Sequence, residues 1–322
     1  MTRVLVTGAA GFIGSHLVEA LSAQGDEIVG IDNFDPFYPR PMKERNLAEV
    51  GHPRGFSFRE QDMLDVAALR SLLTPDTVIV HLAAKAGVRP SLADPVGYAT
   101  ANVTGTAAVL EAARQAGVSR IVFGSSSSVY GDSTPVPFRE DAVATEPVSP
   151  YAATKRAGEL FLSSVAPIYG FRAASLRFFT VYGPRQRPDL AIHAFARKMV
   201  ERRTLTLFGD GTQARDYTYC DDIVAGVLAA LAWTATAPVG VETFNLGGNR
   251  SIPTEAMVSE IADALGIKPG IEWAPMQPGD VQRTAADLTK SGALLGYAPK
   301  TPFREGIHRF IRWFREAYGR AD

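Results

Sequence analysis

Val4-Leu5-Val6-Thr7-Gly8-Ala9-Ala10-Gly11-Phe12-Ile13-Gly14 is the stretch that decides how this chain is read. A strand-length apolar run ends in three glycines spaced Gly-x-x-Gly-x-x-Gly. A helical stripe of Ile13, Leu17 and Leu21 follows. A strand that turns into a helix through glycines is the context a dinucleotide fold requires. Gly8 permits the tight turn, Gly11 lets the backbone approach a pyrophosphate, and Gly14 lets helix and strand pack closely. The free N–H groups of the helix start, at Phe12 and Ile13, then face the anion. The second apolar run, 27–31, ends at Asp32, followed by Asn33. A carboxylate there accepts hydrogen bonds from the adenosine ribose and repels a 2′-phosphate, so the expected cofactor is NAD rather than NADP.

Outward from that loop, apolar runs recur at 4–6, 27–31, 56–58, 78–82, 121–123 and 173–178. Stretches of helical spacing separate them, including Val103, Ala107, Leu110 and Ala113 with Gly117 as the stop. Strands alternating with helices imply crossover connections. The expected fold is therefore α/β, a Rossmann-type doubly wound parallel sheet with a smaller C-terminal substrate-binding α/β region. Residues 1–178, completed by about 219–265, form the expected NAD-binding domain; 179–218 and 266–322 form the nucleotide-sugar-binding region. Further helices are expected at 151–169, 191–202 and 303–317.

The 322 residues carry 33 basic and 34 acidic side chains, and no Lys/Arg run exceeds two. A nucleic-acid partner would call for a basic stripe, so none is expected. No apolar window approaches the ~18 residues of a membrane span, and no membrane partner is expected either. The single cysteine, Cys220, excludes an internal disulfide and a thiolate cluster. Five histidines without ligand spacing leave no expected metal. Together these features point to the cytoplasm.

Tyr151 and Lys155 stand four apart at a helix start and so share a face. A tyrosine near pKa 10 is a poor base at neutral pH. A neighbouring ammonium and a positive nicotinamide ring would favour its phenolate. With Tyr151-Ala152-Ala153-Thr154-Lys155 downstream of the glycine loop, the chain resembles the extended short-chain dehydrogenase/reductase family over nearly its whole length. The resemblance implies that Asp62, beside Met63, contacts adenine, and that Leu82, Ala83 and Ala84 line the cofactor. It also implies a catalytic hydroxyl before Val129-Tyr130-Gly131, for which Ser126 is the match, so Ser126, Tyr151 and Lys155 form the expected catalytic set.

Relatives with this apparatus epimerise, dehydrate or decarboxylate nucleotide sugars after oxidation at C4. Dehydratases and decarboxylases carry an acid just before Val-Tyr-Gly, where this chain has Ser127 and Ser128. Epimerisation needs no such acid. Ala86-Gly87-Val88-Arg89, the segment from Phe179 to Asp189 and the segment from Gly209 to Tyr219 resemble UDP-glucuronate 4-epimerases. The implied reaction converts UDP-glucuronate to UDP-galacturonate through a 4-keto sugar, with Tyr151 as base and acid. A neutral UDP-hexose epimerase or a UDP-glucuronate decarboxylase is the alternative, and a non-enzymatic NAD sensor a more distant one.

Expected substrate contacts are Gly87, Ser126, Ser127, Ser128, Tyr151 and Thr180, with Arg185 or Arg89 near the carboxylate. Arg215 and Arg283 are expected at the diphosphate and Phe208 at the uracil. Arg187 and Arg197 read as surface arginines, and Lys85 has no assigned role. The helices at 99–116 and 151–165 resemble the pair that family members use to dimerise, with Ala107, Ala108, Ala112 and Ala152 permitting close packing. A homodimer is expected.

Overall fold

The computed structural model describes residues 1–144, 146–275 and 282–319. Its strands in chain order are β1 (Arg3–Thr7), β2 (Glu27–Asp32), β3 (Phe56–Glu60), β4 (Thr77–His81), β5 (Arg120–Ser126) and β6 (Arg172–Phe178). β7 (Thr180–Tyr182), β8 (Leu205–Phe208), β9 (Ala214–Tyr219), β10 (Gly240–Leu246), β11 (Ser251–Pro253) and β12 (Ile271–Ala274) follow. Seven of them form a parallel sheet in the order β10-β6-β5-β4-β1-β2-β3. The chain winds outward from β1 to β3, then returns to β4 on the other side of β1. That reversal opens a crevice at the carboxyl ends of β1 and β4, where doubly wound sheets bind ligands.

Alternation along the buried strands divides the core by face. Val4, Val6, Val78, Val80 and Val122 point to one side, under the helices Phe12–Ala23 and Cys220–Trp233. Leu5, Ile79, Ile121 and Phe123 point to the other, under Gly105–Ala116 and Pro150–Tyr169. The apolar runs are continuous because both faces are covered. Thr7 ties the two strands at the crevice. Its Oγ1 pairs with His81 Nδ1 at 2.8 Å and accepts from the N–H groups of Leu82 and Ala83, each at 3.1 Å.

β7 leaves β6 after one residue and joins β9 and β11 in a three-stranded sheet, while β8 pairs with β12. Tyr182, Ile192, Met199 and Tyr219 share a single core with Leu17 and Val18 of the main sheet's helix. The expected helix at 99–116 is present, starts earlier at Pro95 and runs through a π-helical turn at Thr100–Thr104 into Gly105–Ala116. The catalytic helix starts one residue earlier than expected. Ser149 caps it by accepting from Ala152 N at 3.1 Å, and Pro150 occupies the first helical position. The helix Arg40–Val50 was not anticipated. Its sequence, Arg-Pro-Met-Lys-Glu-Arg-Asn-Leu-Ala-Glu-Val, has no clear apolar stripe. Among the described residues, no helix is long and apolar enough to cross a membrane.

Candidate active site

Gly8, Gly11, Phe12, Ile13 and Gly14 line one end of a long cleft over the crevice. Gly8 adopts φ +75°, and a Cβ there would meet Ala83 N at 2.9 Å. A Cβ on Gly14 would collide with the Gly8 carbonyl oxygen. Gly11 caps the first helix without any side-chain acceptor, so its leading N–H groups face the cleft as an anion cradle. At the end of β2, Asp32 is buried. Its Oδ1 accepts from Phe34 N at 2.8 Å and from Lys43 Nζ at 3.2 Å. The cradle, the ribose carboxylate and the open groove between them fit a dinucleotide.

Asn33, Met63, Leu82, Ala83 and Ala84 also line the cleft. Asp62 does not. It stands at the rim, exposed, accepting from Asn33 Nδ2 at 3.0 Å. Lys43 and Tyr38 are lining residues the sequence reading lacked. Lys85 lines the cleft too; its Nζ donates to Asp94 Oδ2 at 2.9 Å and stands 3.9 Å from Asp35 across the mouth. The π-turn explains how that loop is held. Buried Asn102 accepts from Lys85 N and donates to Lys85 O, both at 2.8 Å, and donates to Thr154 Oγ1 at 3.0 Å.

Ser126 sits at the end of β5, facing the start of the helix that carries Tyr151 and Lys155. Ser126 Oγ accepts from Ser128 N at 3.2 Å and from Ser128 Oγ at 2.9 Å, and Ser126 and Tyr151 line the same cleft. Burial raises the Tyr151 pKa; the nearby Ser126 hydroxyl and the positive charge of Arg187 pull it back. Lys155 Nζ donates to Gly124 O at 2.7 Å, and burial lowers its pKa to about 8. Arg187 is thus a cation near the phenol that the sequence reading placed at the surface.

Gly87, Ser127, Ser128, Thr180 and Arg215 line the other half of the cleft. Arg185 is a correction. It adopts φ +62° and turns its guanidinium onto Glu19 and Glu49, the latter at 3.3 Å, away from the cleft. Arg187 is the converse: expected at the surface, it lines the cleft. It holds Asp189 through two hydrogen bonds of 3.0 and 2.8 Å and stacks over Phe37 at 5.2 Å. Its guanidinium lies 3.9 Å from where a Gly87 Cβ would stand. Arg197 is a surface arginine, paired with Glu201.

Arg89 and Phe208 stack on each other at 5.0 Å outside the cleft lining. Arg283 is exposed and donates to Ser251 Oγ at 3.2 Å; its neighbour Thr284 lines the cleft instead. Pro278-Gly279-Asp280, used to place Arg283, lies outside the described residues. Among the described residues one His/Cys/Asp group has metal-like spacing, formed by His16, Cys220 and Asp221. Burial and then the Arg185 charge push the His16 pKa down to about 3, while burial pushes the Cys220 thiol up against the pull of Arg185, whose positive charge opposes a cation there.

Comparison with known proteins agrees with this geometry. Residues 4–247 match the model of the NAD dependent epimerase/dehydratase family. The chain is similar to the UDP-glucuronate 4-epimerase of Thermodesulfobacterium geofontis, with 39% identity over 98% of this chain and 97% of that protein. UDP-glucuronate 4-epimerase 4 of Arabidopsis thaliana is also 39% identical, over 98% of this chain and 76% of that protein. Among solved structures, the Bacillus cereus UDP-glucuronic acid 4-epimerase in complex with UDP-glucuronic acid and NAD superimposes with a TM-score of 0.91. It is 36% identical, over 98% of this chain and 100% of that one. On sequence and fold alike, the chain belongs to the NAD dependent epimerase/dehydratase family.

Proposed function

We propose that this protein catalyses the NAD-dependent epimerisation of UDP-glucuronate at C4, giving UDP-galacturonate. The observation that carries the reading is the strand end Ser126-Ser127-Ser128, which with Thr180 lines the cleft beside Tyr151 and places hydroxyls where an elimination would need an acid. NAD held by the glycine loop and Asp32 would supply a reversible hydride acceptor for the C4 hydrogen, with no net oxidation over the cycle. Tyr151, as phenolate, accepts the C4 hydroxyl proton and gives it back after the 4-keto sugar has turned over. Ser126 holds the same oxygen. Lys155 supplies positive charge beneath the cofactor ribose, and Arg215 binds the diphosphate. UDP-glucuronate labelled with deuterium at C4 tests this scheme: the label should remain at C4 of the UDP-galacturonate formed. Washout of label into water would contradict it.

Residues 1–178, with about 219–265, hold NAD, and 179–218 with 266–322 hold the nucleotide sugar. Gly14→Ala should therefore weaken NAD binding by about tenfold or more, equivalent to ~1.4 kcal/mol, because the glycine loop must shift to admit the methyl group. NAD released from purified, denatured protein gives the readout; wild-type occupancy in the variant would contradict the placement.

The protein works as a homodimer in the cytoplasm. Leu160, Phe161 and Ile168 are exposed along the catalytic helix, and Val96 is exposed at the start of the helix beside it. These larger side chains replace the expected contact residues. Ala112 and Ala152 are fully buried within the subunit, and Ala107 and Ala108 are partly covered. Light scattering should show a dimer, and Leu160→Asp with Phe161→Asp should give monomers. A wild-type monomer at every concentration would contradict the assembly.

A further inference from the structure

One buried charged cluster next to the site has no part in the scheme above. Glu159 lies one turn beyond Lys155 on the catalytic helix, and its side chain is 3% exposed. Its Oε1 accepts from Ser125 Oγ at 2.7 Å and Arg177 Nε at 2.9 Å. Its Oε2 accepts from Arg177 Nη2 at 2.9 Å and Arg156 Nη1 at 2.8 Å. Arg177 is paired across the sheet with Ser125, the residue before Ser126, and its guanidinium lies over the Tyr130 ring at 4.6 Å. One carboxylate thus ties together β5, β6 and the helix of Tyr151 and Lys155.

We propose that Glu159 is a positioning residue for the reaction: its buried carboxylate locks the Ser125–Ser126 strand end to the catalytic helix, one turn from Lys155 as its counter-charge. The inference rests on the epimerase reading for its assay and on the structure for its geometry. The groups around Lys155 single out Glu159. On its own helix stand Tyr151, Arg156 and Glu159. From β4 comes His81, held neutral because burial and then the Lys155 charge push its pKa down to about 3. From β5 come the Gly124 carbonyl at 2.7 Å and the Phe123 ring at 5.3 Å. From β6 comes Arg177, itself committed to Glu159, with Tyr130 beneath it. Glu159 is the carboxylate in this set.

Burial lowers the Lys155 pKa to about 8, and the Glu159 charge opposes that fall. Glu159 stays ionised: burial pushes its carboxyl up, but Arg177, Ser125 and Arg156 together hold it below the usual range. Removing its charge should lower the Lys155 pKa further. The protonated form needed for turnover is then lost at lower pH, so the alkaline limb of kcat moves toward neutrality.

The test is the pH profile of kcat for the NAD-loaded enzyme on UDP-glucuronate, in Glu159→Gln, Glu159→Asp and the double variant Glu159→Gln/Arg177→Met. The double variant removes both buried charges, so it guards against misfolding caused by an unpaired Arg177. Glu159→Gln should shift the alkaline limb down by roughly one pH unit, and the double variant by less, because losing the Arg177 cation in part restores the ammonium. Glu159→Asp should keep the limb near wild type while lowering kcat, because the charge remains and the tie is shortened. A Glu159→Gln variant that folds, binds NAD and keeps the wild-type limb would overturn the proposal, as would a double variant that keeps both the wild-type limb and the wild-type kcat, whatever its melting temperature. If the wild type instead turns over only a neutral UDP-hexose, the sugar assignment fails, and the same limb read on that substrate still decides the role of Glu159.

Discussion

Tyr151→Phe is expected to lower UDP-galacturonate formation by about 10²–10⁴-fold, the usual cost of losing a positioned general base. The phenol lines the cleft together with Ser126, and burial raises its pKa against the pull of Arg187. Removing its oxygen leaves Ser126 able to hold the C4 hydroxyl but unable to take its proton to completion. Cofactor binding should survive, because Gly8, Gly11, Gly14 and Asp32 lie at the other end of the cleft. The variant should therefore purify with NAD and turn over slowly. Near-wild-type turnover would show that another group is the base.

Thr180→Ala and Arg187→Ala should impair epimerisation and release CO₂. Oxidation at C4 places a ketone β to the C6 carboxylate, and β-keto acids lose CO₂ most readily when the breaking bond aligns with the carbonyl π system. An epimerase must hold the carboxylate out of that alignment while the ring turns over. Ser127, Ser128 and Thr180 offer short donors fixed by strand ends, and Arg187 offers the charge first expected from Arg185. Hydrogen bonds to charged groups contribute ~1.5–3 kcal/mol, so each loss should slow epimerisation about 10- to 150-fold. Mass spectrometry should find pentose or 4-keto-pentose nucleotide in these variants. Arg185→Ala should change stability through Glu19 and Glu49 and leave the product pattern unaltered. Wild-type rates and products in both Thr180→Ala and Arg187→Ala would move the clamp elsewhere.

The contrast between Arg185 and Arg187 shows where sequence reading stops. Both lie in one loop, two residues apart, and nothing in Tyr182-Gly183-Pro184-Arg185-Gln186-Arg187 says which guanidinium faces the cleft. The answer depends on a left-handed backbone at Arg185 and on acids from two distant helices, Glu19 and Glu49. The glycine loop was legible because its backbone demands are local: a turn, a close approach and a packing contact within seven residues. The inner sheet strands were legible because burial on both faces leaves apolar runs, whereas β10 (Gly240–Leu246) was missed because its first half is only half-buried and carries Glu242 and Thr243. Lys43 was hidden because it rides on a polar helix with no periodic signal. Asn102 was hidden because a π-turn rotates one buried amide out of an otherwise ordinary helical stripe. Phe208 was placed by its neighbours in sequence, whereas Arg89 covers its ring from another segment.

The measurement that bears most directly on the account is the product formed when purified protein meets UDP-glucuronate without added cofactor, followed by proton NMR and by absorbance at the NADH maximum. The expected result is a mixture of UDP-glucuronate and UDP-galacturonate, with no growing NADH signal. UDP-xylose, or NADH accumulating in step with turnover, would contradict it.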